Sequence, residues 1–281
     1  MEQCIDAFAI FGGFKKSIDL DIPVETLIAT HILDNYGELY NDIAFDIQDD
    51  DDIRKLLSAI AIGDRRIHSA FKRARLSPSR GSVALNFLRE NNIIELERSR
   101  EKPPEKLYPK QQLKREVARH RISHKLRFSS PFLRFWFYFI APHHKQIERG
   151  NFDTVLEAYR QHHQAFSGYI FEELSNLLLK YTHTSPIISS GSYWDRNVEI
   201  DILALDEKEK IIAGECKWRN HKINKKELHK LEEKCEKLAL KADLIVLFSK
   251  RGFSNELLSI ASERLKLYSA EDFKVLLRDN P

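Results

Sequence analysis

The chain has 281 residues, 42% hydrophobic and 31% charged, with 45 lysines and arginines against 42 aspartates and glutamates. That balance excludes a disordered chain, and the length favours two domains over one. The net charge of +3 is too small to name a partner class, so its distribution along the chain carries the information. Cys4, Cys216 and Cys235 have no metal-ligand spacing and leave an odd thiol, which points to reduced intracellular cysteines. The opening residues Met1–Asp6 lack the basic segment of a secretory leader. Pro131–Pro142, the most apolar run, is shorter than the roughly 20 residues of a membrane span and contains Arg134. A buried aromatic helix is expected there, in a cytoplasmic protein without a membrane partner.

Residues 1–50 are expected to be helical, with Pro23 at a helix start and Val24, Leu27, Ile28, His31 and Ile32 at helical spacing. The acidic run Asp49–Asp52 suits the start of the next helix, where negative charge complements the dipole, better than a metal site. Ile53, Leu56, Leu57, Ile60 and Ala61 form one apolar stripe ending at Gly63. A second helix follows over Ile67–Ala74. The Ser77–Gly81 turn leads into a third carrying Val83, Leu85, Phe87 and Leu88. A strand over Ile93–Arg98 and a loop over Glu101–Lys106 complete the order of a winged helix-turn-helix. In such a fold the third helix enters the major groove, which nominates Arg80, Ser82, Asn86 and Arg89 for contact with duplex DNA. Use of the same fold for protein packing is the competing reading.

Between Arg98 and Arg127 eleven lysines and arginines stand against three glutamates. Such a stripe beside a winged helix suits phosphate binding, and a solvated linker face is its plainer alternative. Phe152–Tyr181 is expected to be a helix, with Phe166, Ile170, Leu174 and Leu177 on one side and Gly168 allowing close packing. Glu172 and Glu173 adjoin that stripe. The pairs His143–His144 and His162–His163 point in divergent directions on a helix and lack a nearby cysteine, so they are read as solvated. Trp194 and Arg196, just before the next strand, are candidates for stacking on or touching nucleic acid, with core packing equally open for Trp194.

Val198–Leu205 and Ile211–Trp218 are two apolar runs flanking the polar segment Asp206–Lys210, the pattern of a β-hairpin. Period-two alternation puts Asp201 on one face of the first strand, and Glu215 and Lys217 on a common face of the second. Unpaired charges on such strands are costly, and a divalent cation on Asp201 and Glu215 would compensate them. Carboxylate oxygens suit Mg2+ or Mn2+. The Asp…Glu-x-Lys pattern resembles the PD-(D/E)XK, restriction-endonuclease-like nuclease superfamily, although Ile200 stands where the name has proline. The resemblance implies Asp201 and Glu215 as metal ligands, the Cys216 carbonyl as a further ligand and Lys217 as the catalytic lysine. The helical glutamate of the family would correspond to Glu172, with Glu173 as the alternative. A hairpin with a solvated charged face is the plain counter-reading.

After Trp218, Lys225–Leu240 is expected to be an amphipathic helix with Leu228, Leu231, Cys235 and Leu238 inward. Its lysines, together with Lys222, are candidates to line a DNA channel, and the interspersed glutamates favour a solvated face for much of it. A buried strand over Ala242–Ser249, a helix from a Ser254 cap to Arg264, a strand over Leu265–Tyr268 and a closing helix finish the chain. Leu56–Gly63, Asn92–Glu95, Ser130–Phe137 and Gly214–Trp218 occur in the order seen in archaeal-type AAA ATPases, and residues 50–275 resemble the C-terminal half of those proteins. No phosphate-cradling G-x-x-x-x-G-K-[ST] loop occurs, and residues 1–50 are too few to hold the ATPase domain. The fold class expected is α/β (α+β overall), a helical winged-helix region followed by a restriction-endonuclease-like mixed sheet. Its divisions fall at 1–127, 128–165 and 166–281. The function expected is a Mg2+- or Mn2+-dependent DNA nuclease, with a non-catalytic DNA- or partner-binding scaffold as the alternative. A second copy of the chain and a separate ATPase are the protein partners this reading brings into view.

Overall fold

The computed structural model describes residues 1–101, 108, 112 and 122–277. The expected wing loop from Lys102 onward lies outside the described residues. So do Lys102, Lys106, Lys110, Lys114, Arg115, Arg119 and Arg121 of the basic stripe. The fold is mixed α/β, with a two-stranded and a five-stranded sheet.

The N-terminal part begins with α1 (Glu2–Phe11), α2 (Val24–Leu27, running on in a wider π-type turn to Leu33) and α3 (Tyr36–Asp46). The acidic run then opens α4 (Asp51–Ile62): the Asp50 carboxylate accepts from the Asp52 and Ile53 amides, which are donors that a helix start leaves free. Next come α5 (Ile67–Arg73), α6 (Pro78–Glu90), β1 (Ile94–Glu97) and β2 (Lys125–Phe128), with β1 and β2 antiparallel. The Leu126 amide donates to the Arg65 carbonyl and the Ile67 amide to the His124 carbonyl, so residues 65–67 add a short third edge to the hairpin. The result is helix, edge strand, two helices and hairpin, the order of a winged helix. Gly81 permits the crossing of α5 and α6, because a Cβ there would lie 2.7 Å from the Phe71 ring.

The aromatic run forms α7 (Pro131–Phe135) and continues in a π-type turn to Ile140, followed by α8 (His144–Glu148) and the 30-residue α9 (Asp153–Thr182). One apolar core joins α1, α4, α5, α6, the hairpin, the aromatic run and the first half of α9, from Ala7 to Ile170. The stretch read as a connector is therefore packed into the same core as the winged helix, and the division read at residue 166 falls inside a continuous helix.

The second half of α9 covers the five-stranded sheet, whose order is β3 (Ile187–Trp194), β4 (Glu199–Asp206), β5 (Ile211–Lys217), β6 (Leu244–Ser249), β7 (Leu265–Ser269). The β3–β4 and β4–β5 pairs are antiparallel; β5–β6 and β6–β7 are parallel. Phe171, Leu178 and Leu179 of α9 pack on one face with Ile202, Ile212, Val246 and Phe248. On the other face lie α10 (Lys225–Lys237) and the short α11 (Asn255–Leu258), packed on Ile200, Ala213 and Leu247. The expected helix from Ser254 to Arg264 stops at Leu258, because Ser262 already bridges to Leu265 and the Arg264 carbonyl accepts from the Ile245 amide. No helix among the described residues is long and apolar enough to cross a membrane.

Candidate functional site

Asp201, Glu215 and Lys217 meet where the β4–β5 ladder ends. That ladder runs to Ile202↔Gly214, and one further step would set Asp201 opposite Glu215. On its other side β4 shifts register against β3, so that Asp201 and Ile202 together oppose Ser192 alone. Such a one-residue bulge bends the strand and re-aims side chains. Simple alternation fails here as a result: Ile200 packs against α10, whereas Ile202 and Ala204 pack under α9. Ser192, opposite the bulge, donates to the Glu97 carboxylate of β1 at 2.6 Å and so ties the bulge to the winged-helix sheet.

The Asp201 carboxylate accepts the Cys216 backbone N–H at 2.8 Å. A strand residue directs its N–H and C=O to the same side, so the Cys216 carbonyl also faces β4, beyond the last rung of that ladder. Glu215 is 6% exposed. Its Oε1 accepts from Lys217 Nζ at 2.5 Å and its Oε2 from Lys234 Nζ at 2.7 Å. Glu227 of α10 lies 3.9 Å from the Lys217 ammonium and also holds Lys230 at 2.8 Å. Burial works against the Lys217 charge, but Glu215 and Asp201 hold its pKa above the ordinary lysine value.

Glu172 stands across from Asp201 on α9, at the wall of a cleft of about 360 Å³ that Asp201 also lines. Among the described residues it makes no hydrogen bond or ion pair. Burial, and then the charge of Asp201, pushes its carboxyl well above the usual range. Asp201 is raised as well, by burial and by Glu215, with Lys217 and the Cys216 amide acting in the opposite direction. Glu95, Glu97, Glu172, Glu173 and Asp201 line the cleft with Arg65, Arg127 and Lys180, and of these acids Glu97 pairs with Arg65 while Glu95 and Glu173 pair with Arg127. Glu173, the alternative to Glu172, is occupied: it accepts from the Tyr169 hydroxyl at 2.6 Å and faces Arg127 at 3.4 Å.

Among the described residues no three His, Cys, Asp or Glu side chains converge as a metal-ligand group. The oxygens that suit a hard divalent ion are the Asp201 and Glu215 carboxylates and the Cys216 carbonyl, with Glu172 across the cleft making no hydrogen bond or ion pair among the described residues. That donor chemistry fits Mg2+ or Mn2+, with water completing the shell.

The residues nominated for DNA are dispersed. Ser82, Asn86 and Arg89 lie exposed along α6. Val83 shares that face at 70% exposure and does not point inward as its apolar character suggested. Arg80 is engaged by Asp52 through two hydrogen bonds, of 2.7 and 2.6 Å. Trp194 is 1% exposed, donates to the Ser123 carbonyl at 2.7 Å and lies under the Lys125 ammonium at 4.4 Å, so it is a core residue and stacks on no external base. Arg196 and Lys222 are exposed. Of the described stripe cations, Lys125 is buried on Glu199, Arg127 binds Glu95 and Arg100 binds the Leu203 carbonyl and Ser189. Lys125 and Arg100 fasten this region to the large sheet, while Arg127 braces the hairpin itself and reaches Glu173 of α9. Gly168 has room for a methyl, the nearest atom to a Cβ being Trp218 Cβ at 3.6 Å. The residue that sequence reasoning missed is Lys234, one of many lysines on a helix whose charges alternate.

A family described as archaea bacterial proteins of unknown function (DUF234) matches residues 136–231, a stretch that contains Glu172, Asp201, Glu215 and Lys217. An uncharacterized protein from Methanocaldococcus jannaschii is 27% identical over 180 residues, covering 60% of this chain and 36% of that protein. The alignment thus spans little more than a third of the relative's length. No solved structure matches the chain.

Proposed function

We propose that the chain is a metal-dependent phosphodiesterase of the PD-(D/E)XK type acting on duplex DNA. The observation that carries this reading is the position of Asp201, between the Glu215–Lys217 pair on one side and, on the other, Glu172, which makes no hydrogen bond or ion pair among the described residues. Asp201, Glu215 and the Cys216 carbonyl would hold Mg2+ or Mn2+. A divalent ion at such a site lowers the pKa of a bound water and polarises a phosphoryl oxygen. Lys217, held by Glu215 with Glu227 behind it, orients the attacking water and offers a positive charge to the phosphate as negative charge develops. Glu172, whose carboxyl burial and Asp201 push upward, is set to hold or release a proton beside Asp201. Ser82, Val83, Asn86 and Arg89 form the α6 face for the major groove, where an apolar side chain can meet a thymine methyl. A cytoplasmic setting belongs to the same proposal, in keeping with the free thiols of Cys4, Cys216 and Cys235.

The test is incubation of the purified protein with linear and supercoiled duplex, single-stranded DNA and RNA in Mg2+ or Mn2+. Cleavage that is lost in Lys217→Ala and Asp201→Ala supports the reading, and a full panel left intact sinks it. A second reading rests on Glu215, both of whose oxygens already sit in ion pairs: the sheet then serves as a scaffold for a non-catalytic DNA- or partner-binding protein. In that case Lys217→Ala keeps full DNA binding and full cellular effect.

A further inference from the structure

We infer that Lys234 is an electrostatic placeholder for the divalent cation, and that it leaves Glu215 when the ion arrives. The inference rests on the reading of Asp201 and Glu215 as a cation site. Without metal, the two carboxylates face two ammonium groups, Lys217 and Lys234, and the local charge is balanced. A divalent ion added to that set leaves two positive charges in excess. With Lys234 withdrawn, the two acids, Lys217, the ion and one phosphodiester sum to zero.

The geometry says which lysine can withdraw. Lys217 lies on the strand, is 16% exposed and has a second carboxylate behind it, Glu227 at 3.9 Å. Lys234 reaches Glu215 from the last turn of α10, is 27% exposed and makes its single ion pair among the described residues with Glu215. Its ammonium can swing into water while its helix stays seated through Leu228, Leu231 and Cys235. A cation near a helix C-terminus is favoured in either position. Lys234 is in this sense a positioning residue that sets how readily Glu215 becomes a ligand.

The experiment is calorimetric titration of the full chain with MnCl2, without DNA, in wild type, Lys234→Gln and Lys234→Arg. Removing one unit charge a few ångström from a divalent ion in a partly hydrated site is worth about tenfold in affinity. The Gln variant should therefore bind Mn2+ about tenfold more tightly, and the Arg variant should keep the wild-type affinity. Equal or weaker binding by Lys234→Gln, while wild type binds, overturns the inference and leaves the metal reading intact. Absence of binding in all three, also after a non-cleavable duplex is added, overturns both. A measurement on the wild type alone guards against a variant that does not fold: acetylation footprinting with and without saturating Mn2+. Lys234 should become several-fold more reactive with the ion while Lys217 stays protected, and unchanged reactivity of Lys234 would refute its departure.

Discussion

Gly214 is the backbone position on which the candidate site is most exposed to perturbation. A methyl there would lie 2.7 Å from Val246 Cγ2 and 3.0 Å from Ile202 Cβ. The first approach is closer than Cβ atoms come, and the second requires the Ile202 atom to give by a few tenths of an ångström although it is fixed to the β4 backbone and cannot retreat by changing rotamer. Overpacking of this kind costs about 1–3 kcal/mol. Val246 is fully buried, and Val246→Ala alone should cost about 2 kcal/mol through the cavity it leaves. The double variant removes the Cγ2 that the added methyl meets, so it should be more stable than the sum of the single losses by about 1 kcal/mol. Urea denaturation of the four proteins, read by intrinsic fluorescence, measures the cycle. Because Glu215 is the next residue, Gly214→Ala should also weaken divalent-ion binding. A Gly214→Ala protein as stable as wild type, or strict additivity in the cycle, would refute the packing argument.

In chelator, Glu172→Gln should be more stable than wild type at pH 8 and equal to it near pH 4. The folded carboxyl is raised above its unfolded value, so the native state holds a proton that the unfolded chain has lost, and wild-type stability falls as pH rises through that window. Thermal melts across the range, in which the wild type loses more stability than the variant because Asp201 is raised in both, check the sign. Trp194→Phe should cost about 2 kcal/mol through the lost bond to Ser123 and the weakened Lys125 contact, with DNA affinity of the folded variant unchanged. Denaturation and fluorescence anisotropy with labelled duplex separate the two effects. Arg89→Ala should weaken duplex binding several-fold and lower the salt slope by about one, as expected for loss of one phosphate contact, measured by anisotropy over a salt series.

How far the sequence disclosed this arrangement depends on the range of the interaction concerned. Glu215 and Lys217 are two apart on a strand, so their pairing follows from the pleat, and the Asp50 cap follows from local chemistry. The apolar periods of α4 and α6 gave the helices and their order. Three features escaped because each depends on contacts distant in the chain. Lys234 lies 19 positions from Glu215 and looks like any solvated lysine until α10 is laid across the sheet. The bulge at Asp201 arises from pairing with β3, whose Ser189–Ser192 segment is too polar and too rich in Gly and Ser to suggest a strand. Arg65, which hydrogen-bonds Glu97 and Tyr169 in a left-handed backbone conformation with φ of 63°, joins the hairpin to α9 without any local signal. Trp194 was open to two readings, and the cation above its ring and the carbonyl at its N–H decide for the core.

The central claim, a carboxylate metal site that serves phosphodiester chemistry, is tested most directly by Mn2+ calorimetry in the presence of a non-cleavable duplex. Wild type and Asp201→Ala are compared, with both proteins shown to be folded. The account predicts a binding isotherm for the wild type that disappears in Asp201→Ala. No binding by the wild type with duplex present, or binding undiminished by the loss of Asp201, would contradict it.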